Sequence, residues 1–364
     1  GLATAACLKR AQRPLVVLEK NGRIGSSWHR YYDRLHLNTD KYCSSLPYLP
    51  FPSAYPRYPS RKDVIAYLEA YARHFELTPH LEEPVLHARR QADHWITQTP
   101  VHTYASTNLV VASGNNQHPS TPHWQGQETF QGEILHSIDY KNGRPYKGQN
   151  VLVVGIGNSG GEIALDLAEH GARVAVSVRG QVNIVPRDIL GIPILKTIMR
   201  LTRMPMAFSD LVRSALFRLF CYNLPQYGLV RPSYDPITQT NRLGKLPLID
   251  KGTVASIKKG KIKICPGIAS FNRKGVFFKD GSQGQFDTIV LATGYRPRLD
   301  TFLELDKGQL DEDGRPRKRS CITDIPGLYL CGFTVSSGGT LSAIGEEAIQ
   351  ICQHIIDNGA QRQP

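Results

Sequence analysis

Gly155, Gly157 and Gly160 stand at the G-x-G-x-x-G spacing inside residues 151–179, VLVVGIGNSGGEIALDLAEHGARVAVSVR. That spacing does one kind of chemistry well, the capture of a dinucleotide by its pyrophosphate. The first glycine makes a tight turn, the second lets the backbone approach the phosphates, and the third lets a helix pack closely on a strand. Asn158 and Ser159 lie in the same loop, where free N–H groups at a helix start point at phosphate oxygens. About twenty residues further on, an NAD site carries an acid for the ribose hydroxyls. Here Ser177 and Arg179 close the second strand instead. Small polar and cationic groups at that place suit NADPH, with Arg179 on the 2′-phosphate.

The elements that must hold these residues are legible around them. Residues 151–154 are a short apolar strand, Ile163, Leu165, Leu167 and Ala168 follow in a helical pattern, and residues 173–178 are a second apolar run. Together they make a β-α-β unit. A second unit of the same kind is implied at the N-terminus. Residues 14–19, PLVVLE, read as a strand ending in Glu19, where a ribose-binding carboxylate follows a glycine loop, and residues 1–10 read as a helix in mid-course. Gly1 then takes the part of the third glycine of a first fingerprint, and the sequence is expected to be N-terminally truncated.

The 364 residues suffice for two domains with their own cores, and 41% hydrophobic with 21% charged residues is an ordinary globular composition. A net charge of +13 raises the question of nucleic acid. No long block of Lys and Arg, helix-turn-helix or RNA-binding signature supports it, so the positive field is read as gathering anionic cofactors. The seven cysteines (Cys7, Cys43, Cys221, Cys265, Cys321, Cys331 and Cys352) are odd in number, scattered and without a C-x-x-C pair. This argues against a zinc site, a redox dithiol and a disulfide framework, and leaves no metal expected and free thiols in a reducing, cytoplasmic compartment. No signal peptide or apolar run of membrane-spanning length is present.

Along the rest of the chain, Ser60 and Asp63 form a capping pair before Val64, Leu68, Tyr71 and Phe75, which predicts a helix over 61–75. Residues 84–112 read as an antiparallel meander, with the run 109–114 ending at Gly114, and 115–122 as a linker. Residues 189–229 mix apolar residues with Lys196, Arg200, Arg203, Arg213 and Arg218, predicting two amphipathic helices broken near Pro205. Such an insert either lies on a membrane surface or a partner subunit, as in a homodimer, or covers the active-site cleft. Short β runs are expected at 253–257, 261–265 and 275–278, a buried strand within 286–294, a further run at 328–333 and a last helix over 343–356.

Taken together, these residues resemble the flavin-containing monooxygenases over essentially the whole chain, most closely the YUCCA-like branch and its bacterial relatives. The most specific match is Phe130-x-Gly132-x-x-x-His136-x-x-x-Tyr140, just before the glycine loop. Glu19, Gly25 and Trp28 are similar to the family's flavin segment, with Ser26 in place of its second glycine. Asn38-x-x-Lys41, followed by Phe51-Pro52 and Tyr55-Pro56, is similar to the family's Asn-containing loop. Ala292-Thr293-Gly294 resembles the family's interdomain motif, Ala112-Ser113-Gly114 its earlier counterpart, and Gly332-Phe333 the late flavin-contacting segment.

The resemblance implies an α/β protein with two Rossmann-like dinucleotide-binding domains. Residues 1–118 and 288–364 would form a discontinuous FAD domain, and 119–287, with its insert at 189–229, an NADPH domain. FAD would take hydride from NADPH, add O2, and deliver one oxygen atom from a flavin hydroperoxide to a small-molecule substrate, a nitrogen or sulfur nucleophile or an arylpyruvate. Asn38 would support the oxygenated flavin, and His136 would organise rather than act as a base. Three alternatives to this reading stand: a flavin-dependent NADPH oxidase or reductase without oxygen insertion, a Baeyer–Villiger enzyme, and a catalytically silent binding protein. A chain lacking part of its flavin phosphate loop is expected to hold FAD poorly.

Overall fold

The computed structural model describes residues 1–194, 217, 219–306, 308–318, 320–336 and 339–360. Two compact units divide the chain: Gly1–His29, Thr39–His118 and Tyr295–Pro364 form one, Arg30–Asn38 and Pro119–Gly294 the other.

The second unit is built on a five-stranded, wholly parallel sheet in the order Ile262–Cys265, Arg173–Ser177, Asn150–Val154, Thr288–Leu291, Glu133–His136. A parallel sheet must be covered on both faces, and alternation along the strand Asn150–Val154 shows how. Val151 and Val153 face Ile163 and Leu167 of the helix Asn158–Glu169. Leu152 and Val154 face the other way, onto Phe271, Val276 and Phe278 of a three-stranded antiparallel sheet, Ile268–Asn272, Gly275–Phe278 and Gln283–Gln285.

The first unit holds the three-stranded meander His87–Gln91, His94–Gln98, Thr103–Ser106 and the helices Leu2–Arg10, Arg61–His74 and Thr340–Ala360. The capping box of Ser60 and Asp63 forms as expected, the Ser60 hydroxyl accepting the Asp63 N–H and the carboxylate accepting the Ser60 N–H at 2.8 Å. The aromatic stripe is core: Tyr71 is fully buried, and the phenols of Tyr67 and Tyr71 donate to the carbonyls of Leu49 and Pro47, fixing the loop above the helix.

Several expectations are corrected. Residues 14–19 form no regular strand. They run extended with a single bridge, Leu18 to His80, because residues 80–83 satisfy the backbone of Val17 and Glu19 instead of a neighbouring strand. Residues 109–111 leave the meander and pair in parallel with Leu328–Leu330. The expected β run at 253–257 is a helix, Thr253–Lys258, because the Asp250 carboxylate accepts the N–H groups of Gly252 and Val254 and turns the chain. Residues 188–193 form a small hairpin, Asp188–Ile189 with Ile192–Pro193, that exposes Leu190. Lys196, Arg200, Arg203, Pro205, Arg213 and Arg218 lie outside the described residues. Among the described residues no helix is long and apolar enough to cross a membrane.

Tyr140 is fully buried and its hydroxyl donates to the Asp166 carboxylate at 2.6 Å, which also accepts the Gly143 N–H at 2.8 Å. Tyr140→Phe removes one donor from a buried carboxylate, and we expect a loss of about 1–3 kcal/mol, read from the shift of the urea midpoint.

Candidate functional site

The glycine loop divides its labour by geometry. Gly155 has φ +102°, closed to most side chains, and a Cβ there would lie 2.7 Å from the Ala292 carbonyl oxygen. At Gly160 a Cβ would overlap the Gly155 carbonyl oxygen, so the helix starts directly against the strand end. A Cβ on Gly157, by contrast, would meet nothing within 4 Å. The loop is therefore closed on its protein side and open at Gly157, the N-cap of helix Asn158–Glu169. That is the cradle a pyrophosphate needs at a helix N-terminus.

Around it the expected contacts separate. Arg179 is exposed. Ser177 is buried and its hydroxyl donates to the Pro266 carbonyl at 2.8 Å, so it faces inward at the strand end. Asn158 turns its side chain to the backbone, its amide donating to Pro247 O at 3.1 Å and its carbonyl accepting Ile249 N–H at 2.8 Å. Ser159 lies beside the buried phenol of Tyr32.

The motif from Phe130 to Tyr140 is framework in the same unit. Phe130 packs edge-on against Phe271, and Gly132 leaves room for the Asp287 carbonyl. His136 Nδ1 accepts the Ile138 N–H at 3.2 Å, and its Nε2 lies 3.1 Å from Gly294 O. This arrangement selects the Nε2–H tautomer, and burial pushes the imidazole pKa down, so the ring is neutral and ties together the ends of two parallel strands. Gly294 O also accepts Ser120 N–H, Thr293 donates its hydroxyl to Ser120 O, and Ala292 packs beneath the glycine loop.

The first unit carries a second set of polar groups. Gly1 is the N-cap of helix Leu2–Arg10. Glu19 Oε1 accepts the Asn21 N–H (2.9 Å), the Asn21 side-chain amide (2.8 Å) and the Ser26 hydroxyl (3.2 Å), leaving Oε2 without a hydrogen-bond partner among the described residues. Ser26, which stands where the family has glycine, thus orients the carboxylate. Gly25 has φ +68° and its carbonyl accepts the half-buried Trp28 N–H. At the end of strand Leu109–Val111, Gly114 has φ +76° and open space where a Cβ would lie. Asn115 donates to the carbonyls of Gly332 and Phe333, and the Gly332 N–H donates to Glu347 Oε2 at 2.6 Å. Ser113 Oγ, Asn115 Oδ1 and Glu347 Oε1 are buried with no hydrogen-bond partner among the described residues. Orphaned polar atoms on two segments that meet at Gly332 fit a hydroxyl-rich ligand. Phe333 is different, since its ring lies in the apolar core with Val111 and Leu330.

Asn38 closes the segment Arg30–Asn38 of the other unit, and its Oδ1 is buried without a hydrogen-bond partner among the described residues. Lys41 is structural: it is buried, and its ammonium donates to the carbonyls of Ser53 and Tyr55, shaping the loop that begins at Phe51.

Asn21, Asn115, Glu347, Tyr32, Glu162 and Lys251 carry no motif in the sequence, and Ser26 stands out there only as a replaced glycine. One signal was available for the two acids. Glu347 interrupts the buried stripe of Ala343 and Ile351, and Glu162 shares a helix face with the buried Leu165. A carboxylate on the apolar face of a helix needs a partner.

The family described as Pyridine nucleotide-disulphide oxidoreductase matches residues 1–189. Probable indole-3-pyruvate monooxygenase YUCCA7 of Arabidopsis thaliana is 39% identical over 98% of this chain and 85% of its own. Indole-3-pyruvate monooxygenase YUCCA4 of rice, Oryza sativa subsp. japonica, is 38% identical with the same coverage. Among solved structures, a flavin-containing monooxygenase from Stenotrophomonas maltophilia superposes with a TM-score of 0.74 at 20% identity, covering 98% of this chain and 95% of that one, a likeness of fold.

Gly157 and Gly160 make opposite predictions. Gly157 has φ −73° and open space, so Gly157→Val should fold with its melting temperature nearly unchanged while losing dinucleotide affinity about 100-fold or more, as a methyl-bearing side chain enters the cradle. Gly160→Ala should lower the melting temperature itself, since its Cβ meets backbone. Calorimetry of both variants with and without NADP+ checks this.

Proposed function

The chain belongs to the flavin-containing monooxygenases, in the branch that holds the YUCCA proteins, and on that premise we propose that it is an NADPH- and O2-dependent enzyme that oxidatively decarboxylates an arylpyruvate. It is an FAD-dependent oxidoreductase whose cofactors are FAD and NADPH. The observation that carries the substrate class is the near-complete match to relatives named indole-3-pyruvate monooxygenases. The balanced reaction is arylpyruvic acid, O2, NADPH and a proton to arylacetic acid, CO2, NADP+ and water.

In this reading the flavin supplies hydride acceptance from NADPH and the activation of O2, and the protein supplies binding, order and dryness. The second unit holds NADPH: Gly157 admits the pyrophosphate at the helix N-terminus, and Arg179 answers the 2′-phosphate without help from Ser177. The first unit holds FAD through Glu19 Oε2 and the unpartnered groups of Ser113, Asn115 and Glu347. Phe333 contributes backbone rather than its ring. Asn38 Oδ1, buried and unpartnered, guards the oxygenation step against water. Thiol chemistry is not part of the reading. None of the seven cysteines is in a disulfide, and burial pushes Cys7 up to about 11 and Cys221 to about 12, far from the nucleophilic thiolate form. A cytoplasmic location belongs to the same reading, as does a contact through residues 189–229 with a membrane surface or a second copy of the chain.

Two experiments test it. With isotopically labelled O2 and indole-3-pyruvate, the acid product should carry one labelled oxygen, with one CO2 and one NADPH per turnover. Hydrogen peroxide equal to the NADPH consumed, with substrate untouched, would identify an oxidase, and label in an ester, N-oxide or sulfoxide would identify the other oxygenation classes. Arg179→Ala should raise KM for NADPH about tenfold to a hundredfold, the equivalent of ~1.5–3 kcal/mol for a charge-assisted phosphate contact, while leaving NADH oxidation unchanged.

A further inference from the structure

The segment Arg30–Asn38 lies between two stretches of the first unit in sequence, yet it is part of the second. Tyr32 anchors it by burial in the core that contains Val151, Ile163 and Tyr140. Lys141 accepts the Asp33 N–H at 2.8 Å and donates its ammonium to Arg30 O at 2.7 Å, and Arg34 pairs with Glu169. Nearest Asn38 the tether is buried: the Lys251 ammonium donates to His36 O at 3.0 Å and to Glu162 Oε1 at 2.6 Å, with 9% and 3% of the two side chains exposed.

These contacts trace back to the helix that opens at the glycine loop. Asn158, its first residue, holds Pro247 and Ile249 by both ends of its side chain, and that strand, Leu248–Asp250, delivers Lys251. Ser159 lies beside Tyr32, and Glu162 holds Lys251. One turn of helix thus governs both the phosphate cradle and the carbonyl two residues before Asn38.

We propose that Lys251 and Glu162 are positioning residues that couple occupancy of the NADPH loop to the placement of Asn38. A ligand that orders residues 157–162 reinforces the Glu162 to Lys251 to His36 connection, so that bound coenzyme strengthens the hold on Asn38. The proposal rests on the reading of Asn38 as guard of the oxygenation step. Burial drives the Glu162 carboxyl pKa up and that of Lys251 down, each opposed by the attraction of its partner, so the pair is costly to keep and is replaceable by apolar residues without unfolding.

The test is hydrogen exchange on the full chain carrying FAD, with and without NADP+, comparing wild type with the double variant Lys251→Met, Glu162→Leu, and with Lys251→Arg as the conservative control. NADP+ should slow exchange of the amides of residues 33–38 by about fivefold or more in wild type, a typical coupling factor, and not in the double variant, with Lys251→Arg keeping most of the effect. The peroxide released per NADPH should rise severalfold in the double variant, with NADP+ affinity little changed. Equal protection by NADP+ in both proteins, or none in wild type, overturns the coupling. Lost protection with unchanged peroxide overturns the claim that the tether serves the oxygen step. Asn38→Ala separates the two readings: if it leaves peroxide release unchanged, Asn38 is not the guard, while the exchange data still judge the tether.

Discussion

Gly160 lies so close to the Gly155 carbonyl that no side chain fits between them, and much of the second unit follows from that approach. It brings the first turn of helix Asn158–Glu169 against the ends of the parallel strands, where Ala292 closes the floor. The N–H groups of the helix start are then left facing outward over Gly157. In the proposed reading these groups, left unsatisfied by the packing, receive the coenzyme's phosphates, with the positive end of the helix dipole adding its attraction.

The two units solve the problem of buried polar groups in different ways. In the second, nearly every group of the family motif is satisfied internally: Tyr140 by Asp166, His136 by Ile138 and Gly294, Thr293 by Ser120. Such satisfied networks rigidify the strand ends that carry the loop. In the first, acceptors along Ser113, Asn115 and Glu347 stand open, and Glu19 keeps one oxygen free. Burying acceptors without partners is costly in a protein by itself, which is why the proposed reading assigns them to the flavin.

Segment 30–38 shows how topology redistributes function. Its covalent neighbours belong to one unit, but the burial of Tyr32 and the Lys251 and Glu162 pair assign it to the other. A residue of the N-terminal sequence thereby becomes part of the unit that carries the glycine loop. The aromatic and proline loop that follows stays with the first unit, held by Lys41 and by the stacking of Phe51 on Tyr67 at 3.8 Å.

Local pattern alone determined the β-α-β unit around Gly155 to Gly160 and the capped helix from Arg61, because each depends on contacts among residues near in sequence. The motif from Phe130 to Tyr140 was equally legible, although its work as framework was not. Tertiary structure decided the rest. Thr253–Lys258 became a helix through a carboxylate at Asp250, residues 14–19 found bridging partners at 80–83 rather than a strand, and Ser177 turned inward to Pro266 while Arg179 stayed outside. Glu347 beside Gly332, Ser26 on Glu19 and Lys251 under His36 were likewise invisible in the sequence, because a buried hydrogen bond is specified by where two distant backbones meet and leaves no periodic trace in either segment.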